Sequence, residues 1–227
     1  MNRLNSLIKR LFDILFSILG IVILVPFGII CSILIKLDSP GPVFFLQERL
    51  TRQGKCFKMI KFRSMSIDEQ KQRSQLISSE NDDRITKVGR FIRKYSIDEL
   101  PQLFNILMGD MSFVGPRPPV VNELGDYDTL NRRYKKRFMV EAGLTGLAQI
   151  NGRNAISWDE RIEFDNEYVD LWLKRGCLID LSILMKTAVY ILKTENIYEI
   201  TDDNQLPAAI QRREEEIIRR AHQPDEP

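Results

Sequence analysis

From Ile14 to Ile35 twenty-two residues pass without a charge, nearly all of them apolar, and Pro26 sits just past the middle. A straight helix of that length reaches about 33 Å, enough to cross a hydrocarbon core of about 30 Å. The proline removes a backbone donor and clashes with the preceding turn, so it predicts a kink or a break. Cations flank the run on both sides: Arg3, Lys9 and Arg10 before it, Lys36 and a basic cluster after it. The positive-inside rule then asks for both flanks in the cytoplasm. Three readings stay open: a kinked span, a buried core helix, or a re-entrant helix-break-helix. In the last, two arms of about 17 Å each enter and leave by the same face, to the depth of one leaflet. A signal peptide fits poorly, because the run is long for an h-region and no A-x-A-like site follows.

Beyond the run the pattern shortens. Ser39-Pro40-Gly41-Pro42 marks a turn, and Val43 to Leu46 reads as a short buried strand. Cys56 to Arg63 partly alternates apolar and basic residues, which suits a strand presenting cations from one face. Residues 66–80 are polar, and Asn81-Asp82-Asp83 signals a turn. A short basic helix is expected over Val88–Tyr95. Leu100, Leu103, Phe104 and Leu107 follow at the spacing of a buried helical face, stopped by Gly109-Asp110. A Gly-rich loop from Gly143 to Gly152 leads into a helical stretch with Trp158, Phe164, Tyr168 and Trp172. Residues 178–192 predict another helix, carrying Asp180 and Lys186. After Pro207, Glu215/Arg219 and Glu216/Arg220 pairs suit an exposed helix. The expected class is α/β with helices dominant and few short strands.

Length and charge add bounds. The 227 residues suffice for one domain with a core, or a small domain plus an anchor. A net charge of +2 hides basic clusters at Arg49–Arg63 and Arg132–Arg137, which suit phosphates or solvated faces. No nucleic-acid recognition motif accompanies them, so nucleic-acid binding is not expected. Cys31, Cys56 and Cys177 form no CxxC pair and His222 is the single histidine. A zinc site and a disulfide framework are therefore disfavoured, and a reducing, cytosol-facing setting is favoured.

The candidate chemistry centres on Asp98-Glu99. Ser96-Ile97-Asp98-Glu99 matches the capping box S-x-x-E, a purely structural device. Pro101 complicates that reading, since with Ser96 as N-cap it would break an intrahelical bond. With Asp98 as N-cap it falls in the first turn, yet it deletes an N–H that a capping carboxylate uses. Asp98 would then be free to face a substrate or metal, and the adjacent Glu99 can hold Mg²⁺ through oxygen. Arg117 lies between prolines in Gly115-Pro116-Arg117-Pro118-Pro119, a stiff setting for a guanidinium that grips phosphate or simply belongs to a loop. The loops Gly143–Gly146 and Asn151–Asn154 offer backbone N–H groups to an anion, or are ordinary glycine turns. Trp158 and Trp172 suit interfacial anchors or core positions. Walker A, G-x-G-x-x-G and G-x-S-x-G motifs are absent.

Taken together, these strings resemble the bacterial sugar transferase family, the small monotopic polyprenol-phosphate phosphoglycosyl transferases. The resemblance rests on Lys9-Arg10-Leu11-Phe12-Asp13 leading into the apolar run, Phe57 to Met65, and Val88 to Lys94. It continues through Asp98-Glu99-Leu100-Pro101-Gln102-Leu103-Phe104-Asn105, Gly109 to Pro118, Gly143 to Gly146 and Asn151 to Asn154. It covers roughly residues 8–195. It implies a re-entrant anchor over 1–46, here with Val25 where the family has serine before the proline, and amphipathic surface helices. A catalytic domain over 47–200 on the cytoplasmic face of the bacterial membrane follows, then a charged tail over 201–227.

The implied reaction is ping-pong. Asp98 attacks the β-phosphorus of a UDP-sugar, UMP leaves, and undecaprenyl phosphate takes the phosphosugar. Glu99 positions Mg²⁺ or Asp98; Arg93, Arg117 and Lys61 hold phosphate oxygens; Arg153 and Gln149 lie toward the nucleotide-sugar. Lys9, Arg10, Pro26, Trp158 and Trp172 are expected at the membrane. The chain resembles the minimal catalytic form, without the additional N-terminal transmembrane helices of larger members, and self-association through its tail is an open expectation. Asn151 to Trp158 resembles members using N-acetylated amino sugars, with galactose and glucose left open. A competing reading from the residues is a single-span protein with a phosphate-binding scaffold or signalling domain.

Overall fold

The computed structural model describes residues 3–66, 84–121, 123–152, 156–193 and 215–223. The predicted turn at Asn81-Asp82-Asp83, most of the polar stretch before it and Arg153-Asn154 lie outside the described residues.

Helix α1 spans Arg3–Asp38 with Pro26 inside it. Of the kink or break expected at the proline, no break interrupts the helical run, which continues past it. Packing on both sides holds it: Ile21 and Leu24 lie on the cluster of Phe57, Met59 and Leu103 before it, and Cys31 and Ile35 are buried with Phe62 after it. By length and composition α1 could cross a membrane. One face, stepping by three and four residues from Lys9 through Asp13, Ser17, Gly20, Leu24, Gly28 and Cys31 to Ile35, lies against the rest of the protein. The other face leaves Leu11, Leu15, Val22, Ile29, Ile33 and Leu37 exposed.

Lys9 and Arg10, expected at the membrane, make internal bonds at the start of α1. Lys9 Nζ pairs with Asp180 Oδ2 at 2.6 Å and donates to Val114 O at 2.9 Å. Arg10 donates to the last carbonyls of the following short helix, Ile106 O and Leu107 O, at 2.6 and 2.7 Å. There it satisfies orphan acceptors at a negative helix end. Asp13 accepts from Ser112 Oγ and Phe113 N, both at 3.0 Å. At the other end of α1, Asp38 Oδ2 accepts from Val88 N at 2.7 Å. Arg63 donates to Ser39 O and Pro40 O at 2.7 and 2.6 Å. This last member of the basic strand is thus buried as a helix-end clamp and presents no charge to solvent.

Strands β1 (Phe44–Leu50) and β2 (Cys56–Phe62) pair antiparallel, Phe44 opposite Phe62 and Leu50 opposite Cys56. Val43–Leu46 is not the buried strand its composition suggests: Phe44, Phe45 and Leu46 are exposed. A two-stranded ribbon has only one face covered, and Phe57 and Met59 occupy it. Helices α2 (Lys87–Lys94) and α3 (Gln102–Met108) follow. The buried face of α3 is Gln102, Leu103, Asn105 and Ile106, whereas Phe104, expected in the core, is exposed. Asn105 decides that rotation by bridging β2: its Oδ1 accepts from Ile60 N at 2.9 Å and its Nδ2 donates to Lys58 O at 2.8 Å. Gly109, at φ 93°, ends α3 in the left-handed conformation as expected of a glycine stop.

Strands β3 (Ser112–Val114) and β4 (Gly143–Thr145) pair in parallel. Gly143 is required by close approach, since a Cβ there would lie 2.0 Å from Gly115 N. The expected anion-binding amides of this loop are partly consumed: Gly143 N donates to Pro116 O, and Thr145 O accepts from Gly115 N, both at 2.9 Å.

After short helices α4 (Arg132–Lys135) and α5 (Leu147–Ile150), α6 (Trp158–Arg175) begins with a complete capping box, Ser157 and Glu160. Trp158 and Trp172 are core residues, in separate clusters, and not interfacial anchors. The basic run 132–137 is paired off internally: Arg133 with Glu163, Lys136 with Asp170, Arg137 with Asp165. Helix α7 spans Cys177–Lys193. Residues 215–222 form a helical segment that buries Ile217 and Ala221 against Leu124, Leu130 and Trp158. Its Arg220 pairs with Asp159 and Glu216.

The Lys9–Asp180 pair has both side chains at 10 % exposure or less. Removing one partner of a buried pair costs about 3 kcal/mol or more, because a charge is left uncompensated. Lys9→Met in detergent should therefore lower the thermal midpoint sharply, and adding Asp180→Leu should recover part of it. An unchanged midpoint with weakened membrane retention would return Lys9 to a lipid-facing role.

Candidate active site

Asp98 and Glu99 sit on the bend between α2 and α3, and that bend differs from both capping schemes drawn from the sequence. Ser96 adopts the left-handed conformation (φ 55°, ψ 24°), makes no capping bond, and is followed by a 3-10 turn over Ile97–Glu99. Pro101 is itself the N-cap of α3. A serine in that region carries local strain that surrounding structure must hold, a recurrent feature of functional bends. The result frees both carboxylates from capping duty and turns them toward one cavity.

Three elements bring cations to that point. Lys61, near the end of β2, places Nζ 3.2 Å from Glu99 Oε1. Arg117, in the loop after β3, places Nη2 2.7 Å from the same oxygen. The loop is fixed by more than its prolines: Arg137, 1 % exposed, donates to Arg117 O at 2.6 Å, and Arg49 donates to Pro118 O at 2.8 Å. Arg137, read in the sequence as one of a phosphate-binding cluster, is instead a strut, held in turn by Asp165 at 2.9 Å.

The two acids end in different electrostatic states. Burial alone would push Glu99 up, but Arg117 and Lys61 outweigh it and hold its carboxyl well below the usual range. Asp98 is pushed up to about 6, first by burial and then by the Glu99 charge, against the pull of Lys61, Arg93 and Arg117. One permanently ionised acid beside a second acid poised near neutrality is the division of labour that reactive carboxylates show elsewhere.

The cavity around Asp98 measures about 450 Å³ and gathers Lys61, Arg93, Asp98, Glu99, Arg117 and Gln149, which the sequence reading had spread over ninety residues. Gln149 is 8 % exposed and lines the cavity, and neither of its amide atoms has a hydrogen-bond partner among the described residues. Arg161 also lines the cavity, its guanidinium 4.7 Å from the Trp158 ring centroid. Sequence reading missed it because α6 shows it only as one charge among many. Leu184 and Thr187 of α7 were missed likewise. Among the described residues no cluster of three His, Cys, Asp or Glu could enclose a metal. Two adjacent carboxylates nevertheless fit Mg²⁺, which binds through one or two of them and completes its shell with water and substrate phosphate.

The family model for bacterial sugar transferases matches residues 4–194. The chain belongs to that family. It is 41% identical over 210 residues to the undecaprenyl-phosphate galactose phosphotransferase of Salmonella typhimurium, covering 86% of this chain and 43% of that protein. It is 41% identical over 192 residues to the UDP-glucose:undecaprenyl-phosphate glucose-1-phosphate transferase of Klebsiella pneumoniae, 82% of this chain and 40% of the other. An uncharacterized sugar transferase of Bacillus subtilis, EpsL, is 42% identical over 193 residues, 85% of this chain and 91% of that one. The chain therefore spans less than half the length of the first two relatives and nearly all of the third.

A raised acid binds its proton more tightly folded than unfolded, so Asp98 costs stability as pH rises from its unfolded value of about 4 toward 6. Asp98→Asn should match the wild-type thermal midpoint near pH 4 and exceed it at pH 7. Glu99→Gln removes the charge that lifts Asp98 and releases two cations beside it. The Asp98 carboxyl, followed by carbon NMR, should then titrate at lower pH than in the wild type. Titration unmoved or moved upward would dissociate the two acids.

Proposed function

We infer that the protein transfers a sugar 1-phosphate from a UDP-sugar to undecaprenyl phosphate, with Asp98 as covalent nucleophile and UMP as first product. The observation that carries this reading is the poised Asp98 beside a Glu99 neutralised by two cations, in a cavity of about 450 Å³. A carboxylate nucleophile divides one displacement into two easier ones. In the first, an Asp98 oxygen bonds to the β-phosphorus while the bridging oxygen leaves with its electron pair on UMP. In the second, a phosphate oxygen of the lipid attacks the same phosphorus and the Asp98–phosphorus bond breaks, returning the carboxylate.

Lys61 and Arg117 already lie at the carboxylate pair, and Arg93 and Arg161 line the same cavity, so positive charge surrounds the developing phosphoryl charge. Gln149, whose amide has no partner among the described residues, would hold the nucleotide-sugar. Mg²⁺ held by Asp98, Glu99 and donor phosphate oxygens would neutralise further charge. Relatives named for galactose and glucose transfer make UDP-galactose and UDP-glucose the first donors to test, ahead of the N-acetylated amino sugars.

Anchoring from one side of the bilayer is the companion reading. Lys9 near the start of α1 and Asp38 at its end bond to one globular body. A helix crossing the bilayer would carry its ends to opposite faces. Basic residues at both flanks favour the cytoplasmic face.

UMP release from a panel of UDP-sugars, with undecaprenyl phosphate present, tests the reaction. Asp98→Asn should lose roughly a thousandfold or more in turnover, and retained turnover would remove it as nucleophile. Chelation by EDTA should stop UMP release and added Mg²⁺ should restore it; release unaffected by EDTA would reject the metal.

A further inference from the structure

The lining of the cavity is of two chemical kinds. Around Asp98 and Glu99 it presents Lys61 and Arg117, both bonded to Glu99, and the Gln149 amide, which has no partner among the described residues. Toward α7 the polar atoms are already spent: Thr145 Oγ1 and Thr187 Oγ1 bond each other at 2.7 Å, and Thr187 Oγ1 also donates to Ile183 O at 2.8 Å. Apolar surface in the same lining comes from Leu100, Leu144 and, on α7, Leu184.

Leu184 belongs to two surfaces at once. It lines the cavity, and it is 38 % exposed on α7. On a helix, residues three apart are neighbours, so Leu184 adjoins Leu181, which is 61 % exposed and continues outward to Leu178 and Met185. The buried side of the same helix is Asp180 and Ile183. Leu184 is thus the shoulder where an inward wall turns into an exposed apolar stripe. An anion held by Lys61 and Arg117 that carried a hydrocarbon chain would meet an apolar exit there.

We propose that Leu184, with Leu144 and Leu100, forms the passage for the isoprenoid chain of the lipid phosphate acceptor, whose first units lie across α7 between the cavity and the hydrocarbon phase. This rests on the transfer reaction inferred above and adds to it a separate site for the second substrate. The two substrates of a ping-pong reaction can be read apart: UMP formed from UDP-sugar alone reports the donor step, and the dependence of turnover on lipid phosphate reports the acceptor.

The test uses the full chain in detergent micelles, with undecaprenyl phosphate and with a ten-carbon prenyl phosphate. Leu184→Gln should raise KM for both acceptors about tenfold, the loss expected when one leucine contact is made polar, and leave the donor step unchanged. Leu184→Ala should give a smaller rise in the same direction. Leu178→Gln, on the exposed stripe but away from the cavity, should change neither. The proposal fails if acceptor KM is unmoved, if the donor step slows in proportion, or if Leu178→Gln raises KM equally. That last result would assign the stripe to general membrane contact. A wild-type protein that releases no UMP from any UDP-sugar would instead overturn the transfer reaction itself.

Discussion

A long helix with one face on protein and the other facing out as bare hydrocarbon side chains sets the layout of this molecule. Lys9 and Asp13 are buried on the inward face of α1, so each must find a partner there, and the half-buried Arg10 finds one beside them. Lys9 takes Asp180 and Val114 O, Arg10 takes the end of α3, and Asp13 takes Ser112 and Phe113 N. Those partners fall on α3, β3 and α7, of which β3 and α7 line the cavity. Val114, bonded by Lys9, is three residues before Arg117. Helix α1 and the cavity are consequently one packed unit, in which the placement of Arg117 depends on the placement of α1.

The carboxylate pair shows how environment separates two adjacent, nearly identical groups. Lys61 and Arg117 both bind the same Glu99 oxygen, which fixes that acid as a permanent anion. Its charge and the surrounding protein then lift its neighbour. The strained Ser96 bend and the proline at the α3 cap remove the backbone donors that would otherwise settle Asp98 into an ordinary helix start. The bend leaves both carboxylates beside the cavity instead of in a helix cap.

Charge-rich segments were the least legible part of the chain. Arg63, Arg137 and Lys9 look like surface cations in sequence, yet each is buried and bonded to backbone carbonyls or a carboxylate. Trp158 and Trp172 look like interfacial residues and pack in core clusters. Phe104 and Asn105 exchange their expected places because Asn105 completes the β2 backbone bonds that no apolar residue can. Burial of a polar group depends on a partner distant in sequence, and local pattern carries no information about that partner.

The amino-acid sequence by itself determined the apolar length of α1, the β2 strand, the helices α2, α6 and α7, the glycine stop at Gly109 and the Asp98-Glu99 and Arg117 motifs. These follow from periodicity, turn chemistry and short-range bonding, which act within a few residues. Only the tertiary structure decided that helix α1 runs on past Pro26, that Lys61, Arg117 and Gln149 meet around Asp98, and that Arg161 and Leu184 join them. Those outcomes depend on packing and electrostatics between residues as much as a hundred positions apart, where the energy of each contact exists only once the chain has closed.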